Sequence, residues 1–129
     1  MRIEEYFDQI RKSIESASVV ATYGITFDKR STHEGFLRGE IYFVDGSILH
    51  VREYVDVQDQ IERLTYVYQF MDSTQQFLFR YDNTGHHQKL GLPTFPDHKH
   101  ENREENVMTS AGPRLADVLD EIKTRVKLP

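Results

Sequence analysis

The sequence predicts a single α+β domain over residues 1–129, in which an antiparallel sheet of about five strands packs against an N-terminal and a C-terminal helix. Three observations carry that expectation. Both ends repeat apolar residues at helical spacing, the middle alternates β-branched and aromatic residues with polar ones, and Asp45-Gly46 stands between two of the alternating runs.

Ile3, Tyr6 or Phe7, Ile10 and Ile14 recur with charged residues between them, so residues 2–17 read as an amphipathic helix whose apolar stripe faces a sheet. From Val19 the chain turns to Val, Thr, Tyr, Ile and Phe, which favour a pleated strand, with Gly24 as a candidate bulge. Phe36 to Val44 and Ile48 to Val57 flank Asp45-Gly46, a strong hairpin signal because glycine accepts the positive φ of the turn. Leu64 to Phe70 and Phe77 to Tyr81 form a second pair joined by the polar segment Asp72 to Gln75. Residues 83–109, rich in Asn, Gly, Pro and charge, read as a long His-rich loop, and such a loop inside a compact domain is usually functional or disordered. Gly112-Pro113 then opens the last helix, with Pro at its first position and Leu115, Val118, Leu119, Ile122 and Val126 as its buried stripe.

Composition narrows the function classes. A hydrophobic share of 38% is offset by 12% aromatics, so one core is expected without covalent staples and a second is not. The absence of cysteine removes disulfides, thiolate nucleophiles and Cys-based metal sites, and suits a reducing cytoplasm. Met1-Arg2-Ile3-Glu4-Glu5 lacks the apolar core of a signal peptide, and no apolar run approaches the roughly 18 residues of a membrane helix, so a cytoplasmic protein without membrane contact is expected. A net charge of −5 argues against a surface that grips nucleic acid everywhere, while leaving room for a local cleft around Arg38, Arg52, Arg63 and Arg80. There is no Ser-His-Asp spacing, phosphate-binding loop or dinucleotide fingerprint.

Strand alternation places Leu64, Tyr66, Tyr68 and Phe70 with Phe77, Phe79 and Tyr81 on the core face, joined by Leu49, Val51 and Val55. His50, Arg52, Tyr54, Arg80 and Asp82 fall on the other face. Acid–base chemistry on RNA would draw on His86, His98, His100 and Asp82 as proton-transfer groups, with Arg80, Lys99 and Arg52 on phosphate and Tyr81 stacking a base. No cofactor is required by this reading. A divalent ion such as zinc held among His86, His87, His98 and His100 is the alternative, since a His-x-His pair in an extended segment can point both rings one way and Asp82 or Asp97 could add a carboxylate. The plainer readings are solvated loop histidines and an Arg80–Asp82 ion pair on a wet sheet face. Strand parity puts Glu53 beside Val51 and Val55, which requires either a bulge or a buried carboxylate partnered with Arg38 or Arg63.

Three ordered blocks carry a family resemblance: Phe36-Leu37-Arg38-Gly39-Glu40-Ile41-Tyr42-Phe43-Val44-Asp45-Gly46-Ser47 with Val51-Arg52-Glu53-Tyr54-Val55-Asp56, then Phe79-Arg80-Tyr81-Asp82-Asn83 with His86-His87, then Pro93-Thr94-Phe95-Pro96 with His98-Lys99-His100. Across residues 36–122 the chain resembles the TumE family of prokaryotic toxins, although it carries Gly85 where members usually have Pro and Asp97 where they usually have His. The resemblance implies the toxin half of a two-component toxin–antitoxin module and a cognate antitoxin, typically a helix-turn-helix protein; it supplies no reaction. Ribonuclease-like action on RNA is therefore the leading expectation from residue chemistry. A non-catalytic protein-interaction or metal-binding module and a metal-dependent hydrolase are the rivals. Exposed strand edges would also permit a homodimer.

Overall fold

A computed structural model describes residues 1–85 and 91–126. Among these residues the chain runs α1 (Ile3–Glu15), β1 (Val20–Lys29), β2 (Glu34–Phe43), β3 (Ile48–Asp56), β4 (Glu62–Met71), β5 (Phe77–Asp82), β6 (His98–Glu101), β7 (Val107–Thr109) and α2 (Leu115–Arg125). All seven strands belong to one antiparallel sheet whose spatial order repeats the chain order, β1 to β7.

Two strands beyond the expected five come from the segment read as a loop. An open β5 edge would leave a row of backbone donors and acceptors unpaired. His98–Glu101 pairs with that edge from Phe79↔Glu101 to Asp82↔His98, and Val107–Thr109 pairs in turn with β6. The last helix begins at Leu115, not at Pro113. Arg114 is its N-cap and donates its amide to the Asp117 carboxylate at 3.1 Å, as Arg2 does to Glu5 at 3.2 Å on α1. Acidic residues in both first turns suit the helix dipole.

The two helices cover one sheet face. Ile3, Tyr6, Phe7, Ile10 and Ile14 of α1 and Leu115, Val118, Leu119 and Ile122 of α2 pack on Leu37, Ile41, Leu49, Val51, Val55, Tyr66, Tyr68, Phe70 and Phe79. Leu64, expected in this core, is instead exposed near the start of β4. The Asp45-Gly46 turn forms as expected, with Gly46 at φ 87°.

Glu53 is fully buried on the helix-facing side, without a bulge at its position. Its partners are not the anticipated arginines. Tyr6 Oη donates to one carboxylate oxygen and Tyr68 Oη to the other, the latter at 2.5 Å. Arg63 stands one step further out, donating to Tyr68 Oη at 3.2 Å and to the Gly112 and Pro113 carbonyls at 2.6 Å each. Arg38 lies on the opposite face because residues one apart on a strand point opposite ways.

β1 and β2 meet so closely that a Cβ built on Gly39 would sit 1.9 Å from the Gly24 carbonyl oxygen, whereas one on Gly24 meets nothing within 4 Å. The backbone must move to admit even alanine at position 39. Gly39→Ala is expected to lose about 2–3 kcal/mol of stability and Gly24→Ala to stay within about 0.5 kcal/mol of the parent, read from urea-unfolding midpoints.

Candidate functional site

The face away from the helices carries two transverse rows, fixed by strand register. One runs Thr26, Arg38, Arg52, Val67, Asp82 and His98; the other runs Gly24, Glu40, His50, Gln69, Arg80 and His100. Each row passes from an open half over β1–β4 to a closed half over β5 and β6.

The open half is a cleft of about 500 Å³ whose lining includes Gly24, Thr26, Arg38, His50, Arg52 and Gln69. Gly24 gives it a floor of bare backbone. Arg38 and Arg52 stand directly opposite each other on β2 and β3, both exposed, and neither makes a hydrogen bond or ion pair among the described residues. Like charges opposed across strands are unfavourable by themselves, and an anion between them removes the penalty. Beside them His50 Nδ1 lies 3.4 Å from Glu40.

The closed half gathers Asp82, His98 and His100, with side chains only 1–3% exposed. The i, i+2 spacing of the histidines on β6 turns both rings to this face, with centroids 4.9 Å apart. His98 Nδ1 lies 2.8 Å from the Pro96 carbonyl oxygen, and His100 Nδ1 lies 2.5 Å from that of Glu104. A carbonyl only accepts, so each Nδ1 carries a proton and each Nε2 faces inward. His98 Nε2 is 2.7 Å from Asp82 Oδ1, and His100 Nε2 is 3.5 Å from Oδ2.

Arg80 closes the group, donating from Nε to Asp82 Oδ2 at 2.9 Å and lying 3.3 Å from His100 Nε2. Its other contacts are Glu104 at 3.0 Å and Gln69 at 3.3 Å. Since Gln69 also lines the cleft, it joins the two halves of the face.

The electrostatics follow from these contacts. Burial alone would raise the Asp82 carboxyl, but the Thr84 amide, the neighbouring His98, Arg80 and the Thr84 hydroxyl more than offset it and hold the group below its ordinary value. Burial holds the His100 ring below its usual value and the Arg80 charge adds to this, against the opposing pull of the Glu104 carbonyl and Asp82.

Of the residues singled out from the sequence, Asp82, His98, His100 and Arg80 come together, and Arg52 lies on the same face in the cleft. Lys99 and Tyr81 do not join them. Alternation turns both toward α2, where Lys99 pairs with Glu101 at 2.7 Å and Glu121 at 3.1 Å, and Tyr81 donates to Glu121 at 2.5 Å. They fasten β5 and β6 to the last helix. His86 and His87 lie outside the described residues. Asp97 accepts a hydrogen bond from Tyr66 at 2.5 Å and does not reach the histidines. Sequence reasoning did not single out Gln69, Thr84 or Glu104, and it offered Arg38 as one of four arginines around a basic cleft and as a possible Glu53 partner, without placing it on this face. The Asp-Gly turn pairs Ile48 with Tyr42, and counting outward from that pair sets Arg52 against Arg38.

Fold and site together define a small α+β protein with one sheet face closed by helices and the other presenting an arginine-lined cleft that ends in a buried histidine–carboxylate cluster. The chain belongs to the TumE toxin family: the family described as Toxin TumE matches residues 10–126. Membership implies a toxin of a toxin–antitoxin system with a cognate antitoxin. No curated protein and no solved structure matches the chain. Among the described residues, no helix is long and apolar enough to cross a membrane.

Proposed function

We propose that this toxin acts on RNA, holding a single strand in the Arg38–Arg52 cleft and presenting a phosphodiester to the cluster of Asp82, His98, His100 and Arg80. The observation that carries the reading is the continuity of one sheet face. Two facing guanidinium groups suited to phosphate lie across β2 and β3, and the rows they occupy lead through Val67 and Gln69 to imidazole, carboxylate and a further guanidinium. Phosphodiester cleavage needs a nucleophile activated, a leaving oxygen protonated or neutralised, and phosphoryl charge stabilised. These side chains are of the types that do so.

The test is induced expression of the parent and of variants whose changes stay in the cleft. Arg38→Ala with Arg52→Ala is expected to relieve growth arrest and to leave total and ribosome-associated RNA intact. In binding titrations, loss of two phosphate contacts should lower the slope of log affinity against log salt by about 1.4, at roughly 0.7 per contact on single strands. A Cβ on Gly24 meets nothing within 4 Å and Gly24 lines the cleft, so Gly24→Tyr should block the same cleft in a folded chain. Intact RNA in cells arrested by the parent chain would exclude the nuclease reading.

A further inference from the structure

We propose that Asp82, His98 and His100 form a three-ligand site for a divalent transition-metal ion. The ligand atoms lie within 4.8 Å of one another, and all three side chains are buried. The inference rests on the reading above for the site's role in the reaction, though not for the site's existence.

Ring orientation carries the argument. In metal sites a ligating histidine characteristically donates its other ring N–H to a carbonyl or carboxylate, which fixes the tautomer and aims the lone pair. Both histidines do this here, through Pro96 and Glu104, and on different stretches of backbone. With each Nδ1 turned to a carbonyl, His98 Nε2 faces one Asp82 oxygen at 2.7 Å and His100 Nε2 faces the other at 3.5 Å, so both inward nitrogens converge on the carboxylate. Zinc-like ions bind such ligands at roughly 2.0–2.2 Å, so both rings would draw in around the ion from their present spacing, which is within 4.8 Å.

Asp82 is oriented as a ligand should be. The Thr84 amide and hydroxyl each donate to Oδ1 at 3.0 Å, fixing the carboxylate on the β5 side of the site. Two imidazoles with one carboxylate suit zinc and neighbouring first-row ions, not calcium or magnesium, which prefer all-oxygen shells. Among the described residues the site offers three protein ligands, the number that catalytic zinc sites use.

Arg80 sets the site's selectivity for charge. Its guanidinium lies beside Asp82 Oδ2 and His100 Nε2, where it acts as a resident cation competing with the metal. Glu104 and Gln69 already hold its NH1 and can keep the side chain when the ion enters. Removing Arg80 should therefore not remove metal binding, which separates the ligand set from its charged neighbour.

The full chain, stripped with chelator and dialysed, is titrated with Zn²⁺ by calorimetry and with Co²⁺ by visible absorption. One ion per chain is expected, with a ligand-field spectrum for cobalt. Asp82→Ala, His98→Ala and His100→Ala should each weaken binding by at least about 100-fold, beyond the loss typical of outer-shell changes. Arg80→Gln should bind at least as tightly as the parent. Unchanged binding in the three ligand variants, an absence of binding by the parent, or loss of binding in Arg80→Gln together with the ligand variants would overturn the site. RNA cleavage that persists in chelator with no ion bound would reject the metal and leave the nuclease reading standing. A bound ion with RNA left intact would do the reverse.

Discussion

An Asp82→Asn chain is expected to fold, to bind RNA, and to leave host growth unarrested. Asp82 faces every other member of the cluster, His98 at 2.7 Å, His100 at 3.5 Å and Arg80 at 2.9 Å, and accepts from Thr84 at 3.0 Å. Asparagine keeps one oxygen for the Thr84 donors and removes the negative charge that faces both imidazoles and the guanidinium. A group of this kind, whether it orients a proton-transfer residue or binds an ion, is worth on the order of 10²–10⁴-fold in rate. The expected stability loss is smaller, about 1–3 kcal/mol for weakened charge-assisted hydrogen bonds. Growth curves under induction read the first effect, and far-UV circular dichroism with antitoxin co-purification reads the second. A folded Asp82→Asn chain that arrests growth like the parent would place the reacting centre elsewhere.

The largest effect on stability is expected at Glu53. Glu53→Ala strips the acceptor from two buried phenols, Tyr6 and Tyr68, and opens a void between α1 and the sheet, so a loss of about 3–5 kcal/mol is expected. Glu53→Gln keeps the shape and should stay within about 1–2 kcal/mol of the parent. The two variants also separate charge from packing. Burial pushes the Glu53 carboxyl up, against the hydrogen bonds of Tyr6 and Tyr68 and the charge of Arg63. A carboxyl whose value is raised on folding contributes stability that is complete below its ordinary range and is lost as pH rises toward the raised value, because the unfolded chain gives up that proton first. The difference in urea midpoint between Glu53→Gln and the parent should therefore move in favour of glutamine as pH increases above the ordinary carboxylate range. A difference that stays flat with pH would mean that Glu53 is ionised at no cost in the fold.

Much of this architecture is legible in the sequence because the first five strands are long and one face of each is apolar. Tyr66, Tyr68, Phe70 and Phe79 mark the core side by simple alternation, and Arg52, Arg80 and Asp82 mark the other. β6 and β7 give no such signal. His-Lys-His-Glu and Val-Met-Thr are short and mostly polar, and what makes them strands is the β5 edge they satisfy, a tertiary condition absent from any local window. The same alternation that pairs His98 with His100 excludes Lys99 from their company, once the segment is known to be extended. Glu53 is the converse case: its parity is readable, but its tyrosine partners come from α1 and β4, and no spacing rule connects positions 6, 53 and 68.

The strictly sequential order of the sheet has a consequence for where the toxin can be disarmed. Each strand pairs with the one before it in the chain, so the lining of the arginine cleft lies within β1 to β4, whereas the two histidines stand on β6. On the proposed reading, a cut between β4 and β6 parts the RNA-binding residues from the histidine cluster. It also strips α2 from the core, so one cleavage there is expected to remove both the fold and the toxicity.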